Sequence, residues 1–432
     1  MSVAEVFHSA EFKDDFDITI YERNSYIGGK CCTVTPGGEI CNGKPDGYDV
    51  GATILTTGTP GSKELEQILS KSKVTLQPYT ETERPRSAFV SHGAPVNMQP
   101  FYIKQFLVHP LSFIKTAIKL SGYAAGYLRH AQSRHTGYAK RPRALNKTLS
   151  SKYPRAVNRR LAYLMQGFGY ADLDDDGLTP PLLYYHQYYD PNFLNAPMLK
   201  VAEGTQGIWA KLAATYPKDS IHLGEEVLAV AREQNKVVIS THKGEAEYDY
   251  LVVATPLKPA LKYLDLKPHE RDFLSQMKYN HYVSVLCETP GLHANTTFNL
   301  DACEDKRLIG RVMCAYKRYP DSDITCLYLY APDGSQRDSD IVQMAAVSLK
   351  EDFGVSMGNK ANAKVFRWPD YFGHLDTATL DTGWYDEFDN NYQGQNRTLF
   401  VSSGLHMETV GASVEYGTKM ASKYAQRWSR SK

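Results

Sequence analysis

The sequence predicts an α/β fold class, in which an open parallel sheet is interleaved with a second, α+β domain. A β-branched, alternating segment at 17–23 is followed by paired glycines. A short apolar run at 250–255 is typical of a buried parallel strand. Three later segments have the length and alternation of an antiparallel sheet, namely 282–287, 311–316 and 325–330.

The first of these segments is typical of the second strand of a dinucleotide-binding unit. Glu22 closes the strand, where a carboxylate can accept hydrogen bonds from both hydroxyls of a ribose. Gly28 and Gly29 follow, and glycines let the backbone approach a pyrophosphate closely. Lys30 can add a charge-assisted contact to phosphate. The alternative is an exposed glutamate followed by an ordinary Gly-Gly turn.

The glycine loop that belongs to such a unit is not found in this sequence. The loop follows the first strand and precedes the acidic residue by about 20 positions. Counting back from Glu22 reaches Met1 and Ser2, and a helix is predicted at Val3–Phe12. We therefore expect the first strand and its phosphate loop to lie before Met1. The alternative is a chain that binds no dinucleotide.

Composition bounds the class of protein. A length of 432 residues favours two interleaved domains or one large domain with an insertion. The net charge of +1 gives no overall signal for nucleic-acid binding. The seven cysteines include no C-x-x-C pair, which favours a reduced, cytosolic setting, and no metal-ligand spacing is recognisable. The 30 tyrosines indicate aromatic-lined surfaces or pockets.

The region 101–160 is unusual in its charge. An apolar and aromatic stretch at 101–128 is followed, from Arg129 to Arg160, by ten Lys or Arg residues and no Asp or Glu. Two amphipathic helices broken near Pro110 are predicted. They form either a helical substrate domain with a solvated basic face, or a peripheral membrane contact that admits an anionic, lipid-like substrate.

The remaining elements complete an interleaved α/β pattern. Strands are predicted at 221–230, 236–242 and 398–402, and helices at 342–353 and 411–428. The last strand and the last helix follow each other directly. This order is typical of a chain that returns to its first domain at the C-terminus.

The order of these pieces resembles the FAD-dependent amine oxidase superfamily. The resemblance also rests on Asp49–Ala52, on Gly204–Gly207 and on the Ala254-Thr255-Pro256 strand end. It implies FAD as cofactor and a Rossmann-type FAD-binding domain, without its first strand and Gly loop, interleaved with an α+β substrate domain that contains an antiparallel sheet and a helical insertion. The implied cofactor-binding residues are Glu22, Gly28, Gly29, Lys30, Gly51, Ala52, Val227, Ala254, Thr255, Gly404, Glu408, Thr409 and Val410.

The resemblance also implies how the domains divide. Residues 1–75, 201–262 and 371–432 are expected to form the FAD-binding domain. Residues 76–200 are expected to form the helical and aromatic part of the substrate domain, and residues 263–370 its sheet and helix.

Three segments are similar to the branch of the superfamily that contains polyenoic fatty acid isomerases: Gly167–Tyr170, Tyr371–His374 and Met407–Tyr416. This implies an enzyme that transfers hydride to or from a hydrophobic small molecule, either an unsaturated fatty acid or a secondary metabolite. The outcome is oxidation, desaturation or double-bond isomerisation. The alternatives are a prenylcysteine-oxidase-like enzyme and a non-catalytic, FAD-less remnant or lipid-binding protein.

The chain departs from the superfamily at three points. Tyr282 lies near the position of the lysine that is water-linked to the flavin in amine oxidases. Leu405 replaces an acidic residue that contacts the ribityl chain, and no cysteine follows Cys326 to form a thioether with the flavin. These departures weaken the case for amine oxidation.

Catalytic and pocket residues are predicted only by their type. Tyr282 is one catalytic candidate, and His186 and His374 could act as acid or base. Either Arg159 or Arg160 could hold a substrate carboxylate. The alternative for most aromatic candidates is a place in the core or at a sheet edge. The predicted pocket wall consists of Tyr185, Tyr188, Tyr189, Trp384 and Tyr385.

Overall fold

The computed structural model of the chain describes residues 1–56, 62–78, 87–97, 166–170, 198–376, 378–379 and 382–430, with six isolated positions between 103 and 114. Its helices are α1 (Ser2–Phe7), α2 (Ser62–Ser72), α3 (Gly204–Ala213), α4 (Leu257–Tyr263), α5 (Pro268–Leu274), α6 (Leu300–Glu304), α7 (Asp338–Asp352), α8 (Trp384–Asn391) and α9 (Val410–Ser429).

The strands up to residue 201 are β1 (Ile20–Glu22), β2 (Thr33–Val34), β3 (Tyr48–Asp49), β4 (Leu55–Thr56), β5 (Leu76–Pro78), β6 (Ser87–Ser91), β7 (Ala94–Pro95) and β8 (Met198–Val201). Those that follow are β9 (Ile221–Leu223), β10 (Val227–Arg232), β11 (Val237–Thr241), β12 (Gly244–Tyr248), β13 (Leu251–Val253), β14 (Lys278–Glu288), β15 (Thr296–Asn299), β16 (Val312–Tyr316), β17 (Ile324–Tyr330), β18 (Lys364–His374) and β19 (Thr398–Phe400).

The parallel part of the fold consists of two separate strand pairs. Strand β1 pairs with β9, with Ile20 opposite Ile221, and β13 pairs with β19, with Leu251 opposite Thr398. Both pairs border the same internal cavity. The predicted parallel strand at 250–255 is confirmed in β13, but only Val253 is fully buried, whereas Leu251 and Val252 are half-buried and border the cavity.

Helix α9 anchors the parallel pairs from one side. Its residues at every fourth position, from Ala412 through Tyr416 and Met420 to Trp428, are buried, so one stripe of the helix faces the core. The helix packs against α1 and α2. Trp428 stacks on Phe7 of α1 with ring centroids 5.8 Å apart, which ties the last helix to the first one.

The second half of the fold is a seven-stranded sheet in the order β18-β14-β17-β16-β15-β6-β7. Its pairings are antiparallel except between β15 and β6. Because side chains alternate along a strand, Val283 and Val285 of β14 face helix α7, whereas Tyr282 and Leu286 face the opposite side. That opposite side carries most of the aromatic residues of the sheet.

Two sequence predictions of element boundaries are wrong. The segment 221–230 is not one strand: β9 belongs to a parallel pair and β10 to an antiparallel three-stranded sheet with β11 and β12. The break occurs at Gly224, whose φ of +67° turns the chain. Helix α1 ends at Phe7 rather than at Phe12, because Phe7 and Phe12 both fold back onto Phe16 and successive turns replace the helix.

No helix in the part of the chain that the structure describes is both long enough and apolar enough to cross a bilayer.

Candidate functional site

A cavity of about 2540 Å³ lies between the two parallel pairs and the aromatic side of the seven-stranded sheet. Pockets for drug-sized ligands are usually about 300–1,000 Å³, so this space is large enough for a bulky cofactor together with a substrate. It extends from Glu22 at the end of β1 to Tyr282 in β14. The cavity therefore joins the segments that the sequence assigned to two different domains.

Most of the predicted cofactor-binding residues come together at this cavity. Twelve of the thirteen line it: Glu22, Gly28, Gly29, Lys30, Gly51, Ala52, Val227, Ala254, Thr255, Glu408, Thr409 and Val410. Gly404 is not among the lining residues, because it packs behind the wall. A Cβ at Gly404 would lie 2.7 Å from the sulfur of Met277.

The Glu22 carboxylate lies at the cavity, where β1 ends. Its Oε1 accepts a hydrogen bond from the backbone N–H of Asn24 at 2.8 Å. Burial raises the pKa of Glu22, and the bond from Asn24 opposes that rise. The carboxylate can therefore accept further hydrogen bonds from hydroxyl groups of a ligand, which would return the solvation that burial removes.

The paired glycines form a turn in which both residues have positive φ and Gly28 has no room for a side chain. Gly28 has a φ of +136°, and a Cβ there would lie 2.6 Å from the carbonyl oxygen of Cys31. Gly29 has a φ of +58°, and a Cβ there would meet nothing within 4 Å. The turn is held from behind by Gln206 at the start of α3, whose Nε2 donates to the carbonyl oxygen of Ile27 at 3.0 Å. The turn thus presents bare backbone to the cavity.

Lys30 has protein partners in the structure. Its Nζ donates to the carbonyl oxygen of Asp370 at 2.8 Å and forms an ion pair with Glu408. The ammonium group also lies 5.4 Å from the centre of the Tyr371 ring. Lys30 therefore joins the glycine turn, β18 and the segment before α9 at one point of the cavity wall.

Residues 50–52 form a wall segment that is hydrogen-bonded from several sides. Ser284 Oγ donates to the carbonyl oxygen of Val50 at 2.6 Å, and Thr205 Oγ1 donates to that of Ala52 at 2.8 Å. A Cβ at Gly51 would lie 1.9 Å from the carbonyl oxygen of Lys30. Gly51 and Ala52 are thus held rigidly where they line the cavity.

A buried ion pair lies directly behind this segment. The Asp49 carboxylate accepts hydrogen bonds from Thr33 Oγ1 at 2.6 Å and from Thr205 N–H at 2.9 Å, and it pairs with Arg318. The two charged side chains are 1% and 3% exposed, respectively. Burial by itself lowers the pKa of Arg318, but the adjacent Asp49 raises it, and the net shift is upward.

The N-terminus of helix α9 forms another part of the cavity wall. The Thr409 side chain caps the helix by accepting a hydrogen bond from the Ala412 N–H at 3.3 Å. Val410, Gly411 and Ser413 of the first turn line the cavity. The positive end of the dipole of a 20-residue helix therefore borders the space, and such an end favours anionic groups.

The far part of the cavity is an aromatic compartment, which we define by its lining residues. The Tyr282 ring stacks on Tyr371 at 4.8 Å and on Tyr328 at 5.8 Å, and Tyr371 stacks on Tyr170 at 6.0 Å. Thr296 also lines it, and no partner for its buried Oγ1 is found in the described part of the chain. The aromatic members are Phe168, Tyr170, Tyr282, Phe298, Tyr316, Tyr328, Trp368 and Tyr371.

The tyrosine hydroxyls of this compartment are fixed to the backbone. Tyr282 donates to the carbonyl oxygen of Gly167 and Tyr371 to that of Phe168, each at 3.0 Å. Burial raises the pKa of Tyr282 and of Tyr371 far above the usual value, and burial raises that of Tyr170 to about 12. These phenols therefore stay neutral at physiological pH and cannot act as bases.

The histidines differ in their relation to the cavity. His374 is buried and stacks on Phe372, with Nδ1 2.7 Å from the carbonyl oxygen of Phe372, and it is not a lining residue. His406 lines the cavity and was missed in the sequence, where a lone His between Leu405 and Met407 gives no signal. Burial lowers the pKa of His406 to about 4, so the ring is neutral at physiological pH.

The predicted pocket residues near 384 lie away from the cavity. Trp384 is 1% exposed, stacks on Phe273 at 4.6 Å and donates its Nε1–H to the carbonyl oxygen of that residue. Tyr385 donates its hydroxyl to the carbonyl oxygen of Gly404 at 2.8 Å. The aromatic periodicity of α8 thus serves the core in the structure. The other predicted site residues, Arg159, Arg160, Tyr185, His186, Tyr188 and Tyr189, lie outside the described residues.

Comparison with known proteins finds a matching family and similar solved structures. A family model described as flavin containing amine oxidoreductase matches residues 8–417. A CLA-producing fatty acid isomerase from P. acnes has a similar structure, with a TM-score of 0.77 and 21% sequence identity over 99% of this chain and 95% of that chain. No curated protein matched the sequence.

Two amine oxidases share the fold at lower similarity. Putrescine oxidase bound to putrescine has a TM-score of 0.63 and 13% identity, covering 99% of this chain and 95% of its own. Cyclohexylamine oxidase from Brevibacterium oxydans IH-35A has a TM-score of 0.65 and 12% identity, covering 100% of this chain and 96% of its own. Identities this low establish a common fold only.

Proposed function

The chain belongs to the family of flavin-containing amine oxidoreductases and is an FAD-dependent enzyme, and we propose that it acts on the double bonds of an unsaturated long-chain fatty acid. The reaction that we propose is hydride abstraction from the alkyl chain and return of hydride at another carbon. A hydrophobic secondary metabolite is the alternative substrate class.

The observation that carries this proposal is the aromatic compartment. Its rings stack on one another at 4.8–6.0 Å and form flat apolar walls. Such walls favour an alkyl or polyene segment, because each ring that the substrate covers is removed from water. The compartment opens into the same cavity as the glycine turn, so a substrate held there would lie next to the cofactor.

Few acid and base groups border the described part of the compartment, and Lys30 and Glu408, which lie beside Tyr371, pair with each other. The hydroxyls of Tyr282 and Tyr371 are held by carbonyl oxygens, and their raised pKa values keep them neutral. The guanidinium of Arg367 is engaged outside the compartment, 2.6 Å from Asp338. These features support a reaction in which the protein orients the substrate and excludes water, without transferring protons itself.

The residues at the cavity fit a flavin dinucleotide. We propose that Glu22 holds the ribose hydroxyls, that the Gly28–Gly29 turn and the N-terminus of α9 face the pyrophosphate, and that Gly51 and Ala52 lie beneath the ring system. Such a ligand requires backbone that it can approach closely, a carboxylate that can accept further hydrogen bonds, and a helix N-terminus. When bound, the flavin supplies the hydride-transfer chemistry.

The most direct test is turnover by the FAD-loaded protein without oxygen. The protein would be incubated anaerobically with an unsaturated C18 fatty acid that has methylene-interrupted double bonds. We expect conjugated double bonds to appear in the ultraviolet spectrum, with no net consumption of an electron acceptor. Release of peroxide from primary amines in air, with the fatty acid unchanged, would overturn the proposal.

Two substitutions at Tyr282 distinguish a role of its ring in the compartment wall from a role of its hydroxyl as an acid or base. We expect Tyr282→Phe to keep most of the turnover, because the ring remains and only a bond to the Gly167 carbonyl is lost. We expect Tyr282→Leu to raise KM at least tenfold, because it opens the stacked wall. Loss of kcat in Tyr282→Phe would show that the hydroxyl takes part in the chemistry.

A further inference from the structure

Five exposed apolar side chains, each at a helical position, are not part of the cavity lining. The fully described large apolar residues that are strongly exposed number eight, and five of them fall within residues 103–114. Their exposed fractions are 59% for Ile103, 70% for Leu107, 58% for Val108, 71% for Leu111 and 49% for Ile114. Soluble proteins rarely cluster large apolar side chains in this way unless the cluster contacts something.

The spacing places most of these residues on one face. Each of the five positions is helical. Ile103, Leu107 and Leu111 follow one another at intervals of four residues, and Ile114 follows three residues later. Residues three or four apart lie above one another on a helix, so this spacing is that of the apolar face of an amphipathic helix. We call residues 103, 107, 108, 111 and 114 the apolar face.

The charge of the surrounding sequence indicates what covers this face. From Arg84 to Ala171 the chain has 15 Lys or Arg residues and no Asp or Glu, whereas the rest has 34 basic and 48 acidic residues. The overall charge of +1 therefore conceals a strongly basic segment around the apolar face. Apolar residues combined with a local excess of Lys and Arg are the features that attract a protein to an anionic bilayer surface.

We propose that the apolar face is a membrane-surface contact that inserts into the interface of a bilayer containing anionic lipid. The partner is a lipid surface rather than an acidic protein, because the exposed residues are aliphatic and the basic residues extend along the sequence on both sides of them. The inference rests on the proposed function in one respect only: a substrate with a long alkyl chain would be taken from the membrane.

The test is cosedimentation of the FAD-loaded protein with vesicles. Vesicles of phosphatidylcholine alone and of phosphatidylcholine with phosphatidylserine would be compared for the wild type and for Leu107→Gln/Leu111→Gln. We expect the wild type to bind the anionic vesicles, and the double variant to bind them at least tenfold more weakly, because each Leu contributes burial of an aliphatic side chain.

A matched control is available on another surface. Leu76 and Leu223 are 41% and 43% exposed and do not line the cavity, and we expect Leu76→Gln/Leu223→Gln to bind vesicles as the wild type does. Equal loss in both double variants, unchanged binding in Leu107→Gln/Leu111→Gln, or no wild-type binding to anionic vesicles would each overturn the proposal. A wild-type dimer that dissociates in Leu107→Gln/Leu111→Gln would also overturn it, because the face would then be a self-association surface.

Failure of the membrane contact can be distinguished from failure of the proposed function. With a substrate delivered as a soluble monomer, we expect Leu107→Gln/Leu111→Gln to keep the wild-type kcat and KM. With the same substrate embedded in anionic vesicles, we expect its rate to fall in step with vesicle binding. Equal rates of wild type and variant on embedded substrate would count against the membrane contact while leaving the proposed chemistry intact.

Discussion

Replacing Arg318 by methionine should weaken the fold and the flavin site together. The substitution leaves the Asp49 carboxylate buried without a counter-charge, since that carboxylate is 1% exposed and Arg318 is its ion-pair partner. Asp49 also accepts the N–H of Thr205, whose hydroxyl in turn holds the carbonyl of Ala52 in the cavity wall. A change at Asp49 therefore reaches residues that line the cavity.

The expected loss follows from what remains around Asp49. Breaking a buried ion pair by removing one partner typically costs about 3–5 kcal/mol. Hydrogen bonds from Thr33 at 2.6 Å and Thr205 at 2.9 Å stay in place, so we expect the lower end, about 3 kcal/mol. That is a large part of a typical unfolding free energy of about 5–15 kcal/mol. Urea unfolding would measure it, and titration with FAD would show weaker binding.

Two comparisons decide whether this reasoning holds. Arg307→Met removes an exposed partner of Asp305 and should leave the unfolding free energy unchanged. The double variant Arg318→Met/Asp49→Asn removes the buried charge as well and should recover part of the stability that Arg318→Met loses. The reasoning is refuted if Arg318→Met costs less than about 1 kcal/mol, the usual limit for a surface pair, or if the double variant is no more stable than the single one.

Three further predictions concern the cavity wall. Gly51→Ala should lower the unfolding free energy by well over twice the roughly 1 kcal/mol expected for Gly29→Ala. The reason is that a Cβ at Gly51 meets the carbonyl oxygen of Lys30 at 1.9 Å, whereas one at Gly29 meets nothing within 4 Å. Equal losses in urea unfolding would contradict this. The pKa of His406 is lowered to about 4, so the unfolded state binds a proton at higher pH than the folded state does. About 3 kcal/mol of unfolding free energy should therefore be lost as the pH falls from about 6.5 to 4. His406→Gln should flatten that pH dependence, and an unchanged slope would contradict the prediction. Thr296→Val should raise the unfolding free energy of the ligand-free protein by about 1 kcal/mol, because it removes a buried hydroxyl for which the described residues provide no partner; a loss of stability would mean that the hydroxyl is satisfied.

The sequence was most informative where chemistry is local. Gly28 and Gly29 follow a strand that ends at Glu22, and a turn with positive φ favours glycine because glycine lacks a Cβ. The alternation in β14 and the four-residue spacing in α9 likewise follow from one segment and the periodicity of its backbone. The fold class and the cofactor were predictable because they depend on features of this kind.

Features that depend on distant segments were not predictable. Asp49 and Arg318 are 269 positions apart, and neither stands in a pattern that announces an ion pair. Trp384 illustrates the opposite difficulty. An aromatic residue predicts burial, but the sequence does not say whether it is buried in a pocket or in the core, and the structure places Trp384 against Phe273 in the core.

Lys30 shows how a correct local motif can still leave the role of a residue open. From the sequence alone it follows the glycine turn, and a phosphate contact is the natural hypothesis. In the structure its ammonium group is held by Glu408 and by the carbonyl oxygen of Asp370, from segments that lie more than 300 residues further along the chain. A cation that already has a carboxylate partner adds little net charge for a phosphate, and the pair lies beside Tyr371, where the aromatic compartment begins. Lys30 is thus better suited to fix the glycine turn against the substrate sheet than to bind phosphate, and the N-terminus of α9 is the positive feature of the cavity wall that we assign to the pyrophosphate.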